Sequence, residues 1–305
     1  MMLEIQKIPQ FLIDELNKQY GEEITNRILT GYIGNRVVSL RVNTLKTNLE
    51  KVCEELTKNN IEFEKVSWSD VALIIKNATE EELQKLSIYE NGEIYLQSLS
   101  SMLPPVIMQP KENTDILDMT AAPGGKTTQI AALTNNKANI TACEMNNIRI
   151  EKLKYNIEKQ GSKSVSVLQA DSRNLSDYFA FDQILLDAPC SGSGTIDLNN
   201  ERTYKNFTEV LVEKSTKSQL TLLKKALKIL KPGHEMIYST CSILSRENED
   251  ILSKALKGIN AAIVPIKLQG IEDIPLLPTK IEGTLCVCPN KYYEGFFVAK
   301  IIKNK

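Results

Sequence analysis

Two cysteines stand where a thiol can react rather than pack. Cys190 lies in Leu185-Leu186-Asp187-Ala188-Pro189-Cys190-Ser191-Gly192-Ser193-Gly194, and Cys241 in Tyr238-Ser239-Thr240-Cys241-Ser242. Free cysteine is among the most buried residue types, so either one alone reads as a small core residue. Both, however, follow an apolar run and sit in loops rich in Ser and Gly, where a packing role is less natural. The thiolate is the reactive form, so a usual thiol pKa of about 8.5 must be lowered or a base supplied. The chemistry on offer is covalent catalysis, which divides one hard step into easier ones.

The elements that must position these loops follow a regular order. From Thr114 onward, apolar runs at 116–119, 139–145, 165–171, 181–187 and 235–239 alternate with helix-like segments at 127–133, 148–160 and 211–230. That alternation predicts an α/β fold with a parallel, doubly wound, Rossmann-like sheet and helices on both faces. Two further runs, 285–288 and 296–302, lie too close for a helical crossover, so one of them is expected to be antiparallel. In such sheets ligands bind beyond the carboxyl ends of the strands, where the strand order reverses. The first four runs end in Asp118, Glu144, Asp171 and Asp187. Acids also end strands as turn or cap residues, but four in register are harder to assign that way.

Residues 1–108 read as a smaller α+β module, and 109–305 as the domain carrying the loops. Helical spacing is expected over 5–16 and 24–32, and strands over 37–42, 61–68 and 71–75. Asn48 is placed to cap a helix with the stripe Leu49, Val52, Cys53 and Leu56. Pro104, Pro105 and Pro110 punctuate the approach to the second part.

The stretch Asp118-Met119-Thr120-Ala121-Ala122-Pro123-Gly124-Gly125-Lys126-Thr127-Thr128 follows a strand and opens a helix, where small residues let a ligand near the backbone. A phosphate-binding P-loop would need Gly where Thr120 stands, and no dinucleotide fingerprint can be read. A nucleoside without phosphates fits better. Glu144 is spaced to accept ribose hydroxyls and Asp171 to take an adenine amine. S-adenosyl-L-methionine carries both groups. The bland alternative is a simple tight turn.

Composition excludes several classes. The chain has 305 residues with 38 acidic and 37 basic side chains, so its global charge does not advertise nucleic acid. No stretch has the roughly 18–20 apolar residues of a membrane span, and the amino terminus lacks a signal-peptide pattern. A cytoplasmic, monomeric protein with free thiols is expected. Zinc is disfavoured by a single His and the absence of CxxC. The one close pair, Cys286 and Cys288, is expected to point to opposite faces of a strand.

A thiol beside a methyl donor suits a pyrimidine. C5 of cytosine is too weak a nucleophile to take a sulfonium methyl unaided. A thiolate adding to C6 makes C5 enamine-like, and loss of the C5 proton then allows the thiol to leave. Asp187 is placed to bind the N3/N4 edge of the base and to stabilise the adduct's charge.

At these residues the sequence resembles the Sun/nucleolar-protein family of RNA cytosine-C5 methyltransferases. The likeness includes Ser39-Leu40-Arg41-Val42-Asn43-Thr44-Leu45-Lys46, Tyr95 to Met102, the Ala-Ala-Pro-Gly-Gly-Lys-Thr loop, both cysteine motifs, Glu247-Asn248-Glu249 and Gly295-Phe296-Phe297-Val298-Ala299. The resemblance implies that Cys241 is the nucleophile and Cys190 assists product release. It also implies that Thr120, Ala121, Ala122, Pro123, Gly124, Gly125, Lys126, Glu144, Asp171 and Asp187 form the cofactor pocket, and that the 1–108 module positions RNA. Thr120, His234 and Glu294 depart from the usual residues, as does Thr195 to Asn200, where the family usually has basic residues and Pro. No appended RNA-binding domain is expected after the last strand.

Ribosomal RNA is the expected substrate, with transfer RNA an alternative. Two other readings stay open: methylation of an amino group, which needs no thiol, and a non-catalytic RNA-binding scaffold. Arg202, Lys205, Lys214, Lys217, Lys224, Lys225, Lys228 and Lys231 read either as a phosphate track, which Arg41 and Lys46 could extend, or as a solvated helix face. Trp68, Tyr89 and Tyr95 read as core or interface residues rather than stacking platforms.

Overall fold

The computed structural model describes residues 6–305. The expected helix over 5–16 begins at a residue outside that range. Helix α1 (Gln10–Ile33) contains one break, at Gly21 (φ 78°, ψ 165°), which separates the two helical patterns of the sequence. It leads to β1 (Ser39–Val42) and then α2 (Leu49–Lys58), where the Asn48 side chain accepts from Lys51 N–H as a cap. β2 (Phe63–Val66), β3 (Ser69–Ile75), the short helices α3 (Glu80–Gln84) and α4 (Ser87–Glu90), and β4 (Ile94–Leu96) complete a four-stranded antiparallel sheet of order β2-β3-β1-β4.

Leu40, Val42, Leu73, Ile75 and Ile94 of this sheet close over Val52 and Leu56 of α2 to form a core of their own. Among the described residues up to 108, only this central part builds the smaller sheet. Leu12, Leu16 and Ile28 of α1 pack instead with Tyr238 and Phe297 of the larger sheet. Helix α5 (Leu99–Met108) also lies on that sheet through Met102, Leu103 and Ile107.

Pro104 and Pro105 lie inside α5 rather than marking a connection. A proline in a helix interior removes the bond to the carbonyl four residues back. The Ser101 carbonyl that Pro105 leaves free accepts from Gln97 Nε2 at 3.1 Å, so the helix continues without an unpaired group there.

The larger sheet comprises β5 (Asp115–Asp118), β6 (Asn139–Glu144), β7 (Val165–Gln169), β8 (Phe181–Asp187), β9 (Leu230–Thr240), β10 (Ala261–Val264), β11 (Leu276–Leu277), β12 (Leu285–Val287) and β13 (Phe296–Lys303). Its order is β11-β12-β13-β9-β8-β5-β6-β7, with β10 also pairing β13. β5 to β9 are parallel, while β13 is antiparallel to β9, β10 and β12. Helices α6 (Gly125–Leu133), α7 (Asn147–Gln160), α8 (Glu209–Ile229) and α9 (Glu249–Leu256) connect the strands. The chain runs outward from β5 to β7 and returns to β8, so the order reverses between β5 and β8, opening a crevice at their carboxyl ends.

One expectation is corrected here. Cys286 and Cys288 both belong to the core on the α1 face, whereas Leu285 and Val287 face the α5 side. Residues two apart in a strand share a face, so the thiols point the same way. Among the described residues no group of His, Cys, Asp and Glu is arranged to hold a metal ion.

Candidate active site

The loop between β5 and α6 is tied down by its first carboxylate. Asp118 accepts from Thr127 Oγ1 (2.7 Å) and Thr120 N–H (3.3 Å), and its own side chain is buried. Burial pushes its carboxyl up to about 6 despite those two bonds. The sequence counted Asp118 among the strand-ending acids, and in the fold it anchors the loop from beneath. Gly124 (φ +111°) occupies a conformation that suits glycine, and a Cβ there would lie 3.1 Å from Leu153. A Cβ on Gly125 would meet the Tyr95 ring at 3.2 Å. Both glycines thus allow close packing of protein against protein.

Asp187 ends β8 and holds several elements at once. Its Oδ2 pairs with Lys126 Nζ at 2.7 Å, its Oδ1 accepts from Ser239 Oγ at 2.7 Å, and its carbonyl accepts from Thr120 Oγ1 at 2.8 Å. Burial alone would lower the Lys126 pKa, but the charge and hydrogen bond of Asp187 outweigh it, and the net shift is upward. Asp118 and Cys241 add to that field. Lys126 also donates to Ser101 Oγ (2.8 Å) and lies 5.3 Å from the Phe296 ring centre.

The neighbouring loops after β8 and β9 bring Cys190 Sγ and Cys241 Sγ to 3.0 Å, both as free thiols. The hydrogen bond with Cys241, and burial after it, hold Cys190 well above the ordinary thiol range. Cys190 is therefore a protonated partner, able to donate to the sulfur of Cys241. From the other face, Tyr32 Oη donates to Ser193 O (2.5 Å) and Tyr20 Oη to Ile243 O (2.6 Å), so α1 braces both cysteine loops.

Two cavities meet at Cys241, and Cys190 lines the smaller of them. The smaller, about 340 Å³, is lined by Thr120, Ala122, Glu144, Asp171, Asp187, Cys190 and Cys241 among others. The larger, about 690 Å³, runs between the small sheet and the large one; its walls include Arg36, Ser39, Tyr95, Thr120 to Pro123, Gly125, Lys126, Asp187 and Cys241. Thr120, Ala122, Asp187 and Cys241 line both. Of the expected cofactor residues, Ala121, Pro123, Gly125 and Lys126 face only the larger cavity, and Gly124 faces neither.

Glu144 accepts from Met145 and Asn146 N–H (both 2.9 Å) and pairs with Arg149 at 3.2 Å. Asp171 follows β7 as the cap of a short turn (Ser172–Asn174), so the bland role of a strand-ending acid is also present. It pairs with Arg173 at 2.6 Å, and the hydrogen bonds from Arg173 hold its carboxyl below the usual range.

Four of the eight basic residues between positions 202 and 231 are paired with acids. Lys225 and Lys228 pair with Asp177, both at 2.6 Å, and Lys205 with Glu201 at 3.4 Å. Lys231 pairs with Asp182 at 2.9 Å, at the amino ends of the strands and away from the crevice. Arg41 is buried, donating to Thr128 Oγ1 (3.1 Å) and Gly125 O (3.4 Å) beneath the loop, and burial lowers it to about 10. Lys46 donates to the carbonyls of Asn91 and Lys159, both at 2.7 Å. Arg41 and Lys46 therefore dock the small sheet onto α6 and α7. Trp68 is core, donating to Tyr293 Oη at 2.9 Å.

Sequence reasoning missed the contacts of α1, the Lys126–Asp187 pair, and Arg36. The last donates to the carbonyls of Thr195 (3.1 Å) and Ile196 (2.7 Å) and so organises the segment that departs from the family pattern. None of these has a local signal, because each joins residues far apart in the chain.

The family model described as 16S rRNA methyltransferase RsmB/F matches residues 105–302. A model of the RsmF/B-like ferredoxin-like domain matches residues 8–81. Ribosomal RNA small subunit methyltransferase F of Shewanella loihica is 34% identical over 273 residues, covering 87% of this chain and 56% of the relative. The protein of the same name from Shewanella piezotolerans is 36% identical over 272 residues, covering 87% and 57%. The chain thus spans a little over half the length of these curated relatives. A methyltransferase homolog protein from Pyrococcus horikoshii superposes with a TM-score of 0.81 at 30% identity, covering 96% of this chain and 99% of that one. NSun6 from the same organism, solved with SFG, shares the fold with a TM-score of 0.87 at 24% identity over 99% and 100% of the two chains. On these matches the chain belongs to the 16S rRNA methyltransferase RsmB/F family.

Proposed function

We propose that the chain is an S-adenosyl-L-methionine-dependent RNA cytosine-C5 methyltransferase acting on small-subunit ribosomal RNA. The observation that carries this reading is the pair of thiols 3.0 Å apart, with Cys241 where the two cavities meet and Cys190 on the smaller one. The smaller cavity suits a nucleoside without phosphates, because its two arginines, Arg149 and Arg173, are each paired with an acid. Glu144 would take the ribose hydroxyls and Asp171 the adenine amine. Thr120 and Ala122 would line the approach to Asp187, with residues 121 and 123–126 completing the loop. When bound there, the cofactor supplies an electrophilic methyl group.

The target cytosine would enter the larger cavity. Cys241 adds as thiolate to C6, while Asp187, fixed by Lys126 and Ser239, binds the N3/N4 edge. Cys190 keeps its proton beside Cys241 and assists release once the C5 proton has left. A base must be unstacked to reach this depth, so the target is a loop, an exposed strand or an assembly intermediate. In this reading residues 1–108 position the RNA and 109–305 carry the chemistry, in a monomeric cytoplasmic protein. No helix among the described residues is long and apolar enough to cross a membrane.

The test is a denaturing gel of three proteins incubated with unmodified 16S rRNA and S-adenosyl-L-methionine. Cys190→Ala is expected to give a denaturant-resistant RNA–protein band, the natural sequence product without the band, and Cys241→Ala neither. Methylation that survives Cys241→Ala refutes the covalent route and favours amino-group transfer. Bisulfite sequencing of RNA from a deletion strain identifies the nucleotide.

A further inference from the structure

The Glu247-Asn248-Glu249 stretch has no part in the chemistry above, yet its first residue reaches both cysteine loops. Glu247 is fully enclosed, at 0% exposure. Its Oε1 accepts from Ser191 N–H (2.7 Å) and Gln219 Nε2 (3.3 Å). Its Oε2 accepts the hydroxyls of Ser191 (2.5 Å) and Ser242 (2.6 Å). Ser191 directly follows Cys190, and Ser242 directly follows Cys241. One carboxylate therefore ties the two loops together within a residue of each thiol.

The surroundings reinforce the tie. Gln219 of α8 also donates to Pro189 O (3.0 Å), the residue before Cys190. Asn248 accepts from Thr240 Oγ1 (2.6 Å) and donates to Ser242 O (2.9 Å), holding the chain on both sides of Cys241. An ionised carboxylate is acceptor-only with about four lone-pair sites, and here four donors converge on it. A neutral side chain of the same size cannot satisfy them all with their present orientation.

We propose that Glu247 is a positioning residue, which sets the separation and mutual aim of Cys190 and Cys241 by holding Ser191 and Ser242 on one carboxylate. The claim rests on the two thiols acting as a pair on one base, but its geometric core can be tested without RNA. Misplacing reacting groups by ~1 Å can cost on the order of 100-fold in rate.

The experiment measures how fast diamide closes a Cys190–Cys241 disulfide, followed by peptide mapping of the full-length chain. Two electrons and two protons pass from the thiols to the azo group of diamide, which becomes its hydrazine, and one S–S bond forms. Glu247→Ala is expected to slow closure at least about tenfold. Glu247→Gln should stay within about threefold, because its oxygen can keep the Ser191 N–H while the serine hydroxyls rotate to accept from its amide. Leu56→Ala, in the small-sheet core, controls for general destabilisation and should close at the natural rate. Closure of Glu247→Ala at the natural rate overturns the proposal. Should Glu247→Ala not fold, Ser242→Ala carries the same test: slowed closure supports the tie and unchanged closure overturns it. A chain that methylates no RNA refutes the proposed reaction and leaves this comparison standing, so the two failures are distinct.

Discussion

Removing the Asp187 carboxylate isolates a buried cation, and the cost can be worked from the geometry. Lys126 Nζ lies 2.7 Å from Asp187 Oδ2, with side chains 13% and 26% exposed. At an effective dielectric of about 20, charges at that distance attract by roughly 6 kcal/mol, most of it offset by desolvating both groups. In Asp187→Ala the ammonium keeps the Ser101 hydroxyl and the field of Asp118, so about 2 kcal/mol is the expected loss. At about 2–4 °C per kcal/mol, Tm should fall by about 4–8 °C. Lys126→Met together with Asp187→Ala removes the orphan along with its partner. Ser239 loses its acceptor in both Asp187 variants, so that contribution cancels in the cycle. Calorimetry of the four proteins should give a coupling of about 2 kcal/mol. Effects that add within about 0.5 kcal/mol would mean the pair is loosely held and that Lys126 does not fix Asp187.

Two other outcomes follow from close contact and from burial. A Cβ on Gly194 would stand 2.0 Å from Gly295 O, while Gly194 N–H donates to Cys241 O at 3.0 Å. Gly194→Ala should therefore separate the Cys190 loop from β13, costing about 1–3 kcal/mol and on the order of 100-fold in methyl transfer; near-natural turnover would show the loop free to adjust. Asp118 is raised from 3.8 to about 6, so the folded chain binds its proton more tightly than the unfolded one. Stability from this group is then present below about pH 4 and lost as pH rises through about 6, by on the order of 3 kcal/mol. Asp118→Asn can keep Thr120 N–H on its oxygen and donate its amide N–H to Thr127 Oγ1 without the titration, so its Tm should gain on the natural sequence between pH 4 and 6. Parallel Tm profiles would refute that.

How much of this was legible in the sequence depends on range. The strand–helix alternation, the Asn48 cap and the crevice at the carboxyl ends came from local patterns, and the fold bears them out. Asp118, Glu144 and Asp187 end strands as read, because a terminal acid meets the backbone donors or cations of the next loop. The limits were long-range. Arg41 looked like a phosphate contact because nothing local reveals that Thr128 and Gln97 will enclose it. Pro104 and Pro105 looked like a break because the compensating donor, Gln97, lies before the helix rather than within it. Lys225, Lys228 and Lys231 read equally as a track or as a solvated face because Asp177 and Asp182, which pair with them, arrive from other elements.

The small sheet bears on the chemistry through its position. Ser39 and Tyr95 belong to that sheet, Gln97 and Ser98 follow its last strand, and all four share the walls of the larger cavity with Cys241 and Lys126. Arg41 and Asn43, through buried donors to Thr128 and to Gln160 O, and Lys46, through an exposed one to Lys159 O, fix the sheet on α6 and α7. A group that reaches Cys241 through that cavity must therefore pass between the two sheets. Moving one against the other would reshape the cavity while leaving the thiols and the smaller cavity in place. Substitutions at Asn43 should accordingly change the apparent affinity for RNA more than the affinity for the methyl donor.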